Sequence, residues 1–329
     1  MTVESPNSSR RPRYWPLLKW SFFVVLLIFI GRRAVQLWAS APPEPFNING
    51  FWLIPAALAY FAGWLPSVWF WRALLRKLRQ PLEMSTAVRA YYVGHVGKYV
   101  PGKALVLVIR GGLVKDAGVN PVLAGVTAAY ETLVFMAAGA ALALGLAPLA
   151  FGKTFWSHLP AGLSWLRDQP VLLPLIVALA TFATTPFSAW LFTKIGRKAM
   201  PSQASETAPP PAISAGLISQ GVAVASLGWA CHALSLGFVL QSISKHPFDL
   251  GQFPVWLAAV SLSTVGGFVV LIAPGGLGVR EGLLIEALKD QPQIGPTLAV
   301  VAAGLLRALW FVTELIVALI LYVTPKRSR

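Results

Sequence analysis

Charge is scarce in this 329-residue chain. Asp, Glu, Lys and Arg together make up 12% of it, about half the share found in soluble globular domains. That scarcity excludes a soluble domain able to fold by itself. Cysteine is scarcer still. Cys231 stands alone within an apolar run, which excludes an intrachain disulfide. The four histidines, His95, His158, His232 and His246, are scattered, and no Cys/His spacing suits a metal. Neither a metal nor a cofactor is expected. Acids are outnumbered, 12 against 27 basic residues, for a net charge of +15. In a soluble chain that surplus would suggest nucleic acid. Here the basic residues stand between apolar runs, so nucleic acid is not the expected partner. The pattern fits the positive-inside rule and attraction to anionic lipid.

What remains is apolar: 56% of the residues. A crossing takes about 20 such residues in a helix. The runs predict an all-α integral membrane protein with six transmembrane helices over residues 14–38, 51–72, 121–149, 170–193, 213–243 and 297–323. Arg10, Arg11 and Arg13 precede the first run in the manner of a signal peptide. Arg32 and Arg33 interrupt the approach to cleavage, so an uncleaved span is expected. Residues 1–13 read as a disordered cytoplasmic tail, 194–212 as a cytoplasmic linker and 324–329 as a cytoplasmic tail. The first membrane repeat is placed at 14–193 and the remainder of the second at 213–323, the second beginning with span 170–193.

Two apolar segments, 86–116 and 254–290, are broken by Pro101-Gly102 and by Pro274-Gly275-Gly276. Eight full crossings would put the basic stretch 194–198 outside the cell, against the charge rule. Six crossings plus two re-entrant segments put the N-terminus, 72–79, 194–198 and the tail all inside. Loops 41–50 and 151–169 are then external. Non-helical backbone at membrane depth must be buried or line a wet cavity, so each break predicts a cavity. The segments also share an order of motifs. The first runs Pro101-Gly102-Lys103, Arg110-Gly111-Gly112-Leu113, Lys115-Asp116 and a span bearing Glu131. The second runs Pro274-Gly275-Gly276, Arg280-Glu281-Gly282-Leu283, Lys289-Asp290 and a span bearing Arg307. Three crossings per unit insert the second copy upside down, giving an inverted repeat of the transporter kind.

Gly97, Gly102 and Lys103 match part of a phosphate-binding loop, but Ala104 replaces the required Ser or Thr and no strand precedes it. A nucleotide site is not expected. Lys98, Lys103, Arg110, Arg280 and Glu281 surround the breaks and are the candidate substrate-binding residues, because interrupted helix ends attract anions. The alternative is that these cations snorkel to headgroups. Glu131, Arg307 and Glu314 lie deep in their spans, at about 2.5–3.5 kcal/mol each unless compensated. They are read as an intramembrane charge pair or a pathway. Glu131 and Arg307 occupy matching repeat positions and are expected to pair, either locking the halves or serving substrate or proton movement. No residue is assigned as catalytic.

Gly97-Lys98-Tyr99-Val100-Pro101-Gly102-Lys103 and Pro274-Gly275-Gly276-Leu277-Gly278-Val279-Arg280-Glu281 resemble the transmembrane region of lysylphosphatidylglycerol synthase and its stand-alone flippase-like relatives. The resemblance spans about 14–323. It implies movement of a phospholipid or lipid-linked intermediate between leaflets of a bacterial inner membrane. In the full-length enzyme a separate soluble domain performs aminoacyl transfer; this chain ends at Arg329, directly after its last span, so synthase activity is not expected. The family often places Arg after the acid in the span following the first break, where this chain has Glu131-Thr132. Membrane lipid with an anionic or phosphate-bearing headgroup is the expected partner, together with a separate lipid-modifying enzyme or glycosyltransferase. The alternative is a membrane-embedded transferase, or an accessory subunit of a glycolipid or aminoacyl-lipid pathway.

Overall fold

The structure is a computed structural model. It describes residues 47–99, 105–157, 161–169, 171–199, 212–270 and 273–324, together with Ile28, Arg32, Val35, Gln36 and Ala39. No strand occurs among the described residues. The helices are α1 (Leu53–Gly63), α2 (Leu65–Lys77), α3 (Met84–His95), α4 (Leu105–Lys115), α5 (Pro121–Ser157), α6 (Leu172–Ala183), α7 (Thr185–Lys198), α8 (Ala215–Ile243), α9 (Phe253–Val269), α10 (Val279–Leu288) and α11 (Gly295–Val323).

Among the described residues, six stretches are long and apolar enough to cross a membrane: Gly50–Lys77, Pro121–Gly152, Leu172–Lys198, Ala215–Ile243, Leu250–Val269 and Gly295–Val323. Five match expected spans. The expected first span, 14–38, lies outside the described residues except for four helical positions, Ile28, Arg32, Val35 and Gln36. Leu250–Val269 lies in the segment expected to re-enter. No charged residue interrupts its 20 residues, and at 1.5 Å per residue they reach about 30 Å, the thickness of a hydrocarbon core.

The broken segments fold as helical hairpins. α3 and α4 have 12 and 11 residues, about 18 and 16 Å, too short for either to cross. They double back on each other through glycine. A Cβ on Gly94 would stand 2.6 Å from Arg110 Cγ, and one on Gly97 would stand 2.7 Å from Val106 N. The second hairpin closes in the same way. A Cβ on Gly266 would meet Leu283 Cδ1 at 2.3 Å, and one on Gly267 would meet Arg280 Cβ at 3.2 Å. In both hairpins a glycine of the incoming limb seats an arginine of the returning limb.

The longer helices meet through small residues, as membrane helices do when backbones must approach closely. α1 crosses α8 where a Cβ on Gly228 would stand 2.6 Å from Gly63 O. Gly139 seats Trp229, Gly221 seats Phe70 and Gly237 seats Trp256. Three of the buried indoles are hydrogen-bonded. Trp71 Nε1 donates to Ala124 O and Thr127 Oγ1, Trp229 Nε1 to Phe135 O, and Trp310 Nε1 to Ser235 Oγ. α9 packs along α5, so the second hairpin lies against the long helix that follows the first. α6 and α7 stay at the rim with Leu175, Leu179, Phe187 and Trp190 exposed.

Candidate functional site

The two breaks meet. Helix α3 gives way after His95 to a 3-10 turn, Val96–Tyr99, and α10 is preceded by a 3-10 turn, Pro274–Gly276. Gly275 adopts φ +59°, a conformation that suits glycine. A Cβ there would lie 3.2 Å from Tyr99 Cδ1 and 3.1 Å from Arg307 Nη2. Residues 100–104, with Pro101, Gly102 and Lys103, lie outside the described residues.

Three ion pairs surround this junction. Arg110 Nη1 lies 3.2 Å from Glu131 Oε2, both side chains about 2% exposed. The same guanidinium stands over the Tyr91 ring at 3.7 Å, and Tyr91 Oη donates to Glu131 Oε1 at 3.0 Å. Lys98 Nζ lies 2.5 Å from Glu314 Oε1. Arg307 Nε lies 3.3 Å from Glu281 Oε1, and Arg307 Nη1 donates to Gly275 O at 3.3 Å. That last bond supplies a donor to a carbonyl left over at the break.

The expected Glu131–Arg307 pair is therefore corrected. Each finds its counter-ion on the returning limb of the preceding hairpin: Arg110 for Glu131, and Glu281 for Arg307. The guanidinium that the chain lacks beside Glu131, where Thr132 stands, comes from Arg110. Glu281 does not orient Arg280. Its Oε2 accepts from Gly278 N at the start of α10, a capping contact, and its Oε1 faces Arg307.

Arg280 is left over. It makes no ion pair among the described residues and rests over the Trp310 ring at 4.6 Å. Four cations, Lys98, Arg110, Arg280 and Arg307, thus face three carboxylates, Glu131, Glu281 and Glu314. The described residues at the junction carry one surplus positive charge.

Beside the junction lies a cavity of about 390 Å³, within the range of small-molecule sites. Its polar side is formed by His95, Lys98, Arg110, Glu131, Thr264 and Arg280. Val106, Leu107, Leu133, Phe135, Met136 and Phe268 form the apolar side. Leu133 is 53% exposed, so the cavity reaches the outer surface of α5 partway along its span. Four polar atoms of the lining, Trp64 Nε1, His95 Nε2, Arg110 Nε and Thr264 Oγ1, are buried without a hydrogen-bond partner among the described residues. Native interiors satisfy nearly all such atoms, so this wall is furnished for polar groups from outside the chain. Behind Arg280 a second, very small cavity is lined by Glu281, Arg307 and Ser263.

Tyr60, Tyr99 and Trp310 also belong to the site, and the sequence reading passed over them. Tyr60 Oη donates to Glu314 Oε1, and Tyr99 Oη donates to Oε2 at 2.9 Å. A signal existed for Trp310: Arg307, Trp310 and Glu314 follow one face of α11 at helical spacing. Nothing in the sequence distinguished Tyr60.

A search of curated proteins found no match. The family described as the lysylphosphatidylglycerol synthase TM region matches residues 17–318, nearly the whole of a chain already recognisable as an integral membrane protein. The chain belongs to that lysylphosphatidylglycerol synthase TM region family, and its setting is membrane-embedded and lipid-related.

Proposed function

We propose that the chain is a flippase-like transporter that moves a phospholipid or lipid-linked intermediate, through an anionic headgroup, between leaflets of the bacterial inner membrane. The surplus charge at Arg280 is the observation that carries the reading. A partly buried cation without a counter-ion is unfavourably placed, and a phosphate oxygen is the ligand that fits a guanidinium. The orphaned atoms of His95, Arg110 and Thr264 supply further contacts to headgroup or water. The apolar wall and its exposed Leu133 let acyl chains remain in lipid while the headgroup is inside. Lys98 and Arg110 act as lining groups whose charge is already matched. Lys103 joins this proposal as a candidate beyond the described residues. Glu281 and Arg307 hold the second break rather than the headgroup.

In this reading the two hairpins are re-entrant halves of an inverted repeat, entering from opposite faces. Both termini and loop 194–212 are cytoplasmic. The domain limits follow the repeat, with the first copy at 14–193 and the remainder of the second, which begins with span 170–193, at 213–323. A separate lipid-modifying enzyme supplies the lipid.

The test is flux of fluorescent phosphatidylglycerol in proteoliposomes. Arg280→Gln should lower it about tenfold, the loss of about 1.4 kcal/mol of headgroup binding, with folding intact. Equal flux in variant and parent would remove Arg280 from the site. Absence of flux above empty vesicles would remove the transport reading.

A further inference from the structure

Glu314 is placed unlike the other two buried acids. Glu131 and Glu281 each pair within one half. Glu314, on α11, instead joins the halves. It receives Tyr60 Oη from α1 and Lys98 Nζ and Tyr99 Oη from the first break. Its residue is 5% exposed. Each neighbouring element brings a titratable or charged group toward this region: Tyr60 from α1, His95 from α3, Lys98 and Tyr99 from the break, His232 from α8, Arg280 from α10 and Arg307 from α11 itself.

His95 gives this acid an outlet. Its Nε2 lies 3.9 Å from Glu314 Oε1, has no hydrogen-bond partner, and belongs to a ring that lines the large cavity. Lys98 lines the same cavity while its Nζ is held by Glu314. The carboxylate therefore withholds from the cavity a cation that already stands in its wall.

We infer that Glu314 is a proton-binding site whose protonation releases Lys98 to the cavity, so that one proton accompanies each anionic headgroup. The inference rests on the transport reading above and names its coupling ion. His95 Nε2 takes a proton from a hydronium ion entering the cavity, leaving water behind, and passes it to Glu314 Oε1. The neutral carboxyl keeps its tyrosine neighbours, and the Lys98 ammonium turns to the headgroup phosphate. The cavity gains one positive charge on protonation and loses it when the proton leaves. Because linkage is reciprocal, an anionic lipid also raises proton occupancy at Glu314.

The experiment measures preference for spin-labelled phosphatidylglycerol over spin-labelled phosphatidylcholine, with the full chain in reconstituted membranes at alkaline and mildly acidic pH. Preference should rise about tenfold on acidification, within the usual range of coupling between sites. Glu314→Gln should show the acid value at both pH values, and Lys98→Gln the alkaline value at both. Preference that is present but indifferent to pH would overturn the proton site and leave the lipid reading standing. No preference at either pH would overturn the anionic-headgroup reading and the proton site with it. Should Glu314→Gln fail to fold, infrared difference spectra of the parent chain decide. A protonated-carboxyl band that grows on adding phosphatidylglycerol, and grows less in Lys98→Gln, supports the site. Absence of that band overturns it.

Discussion

Gly94 and Arg110 are in such close contact that a single methyl group on the glycine would stand 2.6 Å from Arg110 Cγ. The arginine cannot retreat freely, because its guanidinium is held by Glu131 and by the Tyr91 ring. Gly94→Ala should therefore cost about 1–3 kcal/mol, the usual range for overpacking. A lowered unfolding temperature in detergent, with expression retained, is the expected result. An unchanged temperature would mean the α3–α4 hairpin opens more easily than its contacts imply.

Breaking the Arg110–Glu131 pair from one side should be worse. Arg110→Met or Glu131→Gln leaves a buried charge without its counter-ion, at about 3–5 kcal/mol. Replacing both should recover much of that loss. A double-mutant cycle on chemical denaturation in micelles measures the coupling. Additive losses would show that the pair is not a unit.

Leu133 stands where the cavity reaches the surface of α5. Leu133→Trp should narrow that opening while adding an apolar ring to an apolar surface. Lipid flux should fall severalfold and thermal stability should stay level. Unaltered flux would place the lipid path elsewhere.

Orientation can be read from outside intact cells. With Cys231 replaced by Ser, a cysteine at Gln203 should resist an impermeant maleimide, and one at Asn49 should react. Labelling at position 203 would defeat the proposed topology.

Much of the architecture was legible because bilayer depth is written in composition. Apolar runs gave five of the six spans, and the Pro274-Gly275-Gly276 cluster gave the second break, since proline lacks a donor and glycine weakens a helix. The similarity of the two broken segments was legible too, and it misled. Equivalent positions suggested that Glu131 and Arg307 would pair across the repeat, yet each is reached sooner by a residue on the adjacent limb. Helical spacing gives the depth and face of a residue but not which neighbouring helix that face meets. That is settled by close packing at Gly94, Gly97 and Gly267, which seats Arg110 and Arg280. The leftover cation had a written cause. The first half keeps its acid on the long span as Glu131, whereas the second puts Arg307 there and moves its acid to Glu281.

The crossing of α1 and α8 bears on which parts can move. Backbone touches backbone there: Gly228 leaves no room for a Cβ beside Gly63 O, and the His232 ring fills the space beside Gly63. Helices joined through side chains can slide by exchanging rotamers, but helices joined backbone to backbone have no such slack. α1 and α8 thus form a single stiff keel. In the proposed transport cycle displacement would fall to the hairpins, whose described residues meet where Tyr99 approaches Gly275 and Arg307 holds the Gly275 carbonyl. On the transport proposal, the stroke would be set by short levers turning on a fixed frame, not by two rigid halves rocking apart.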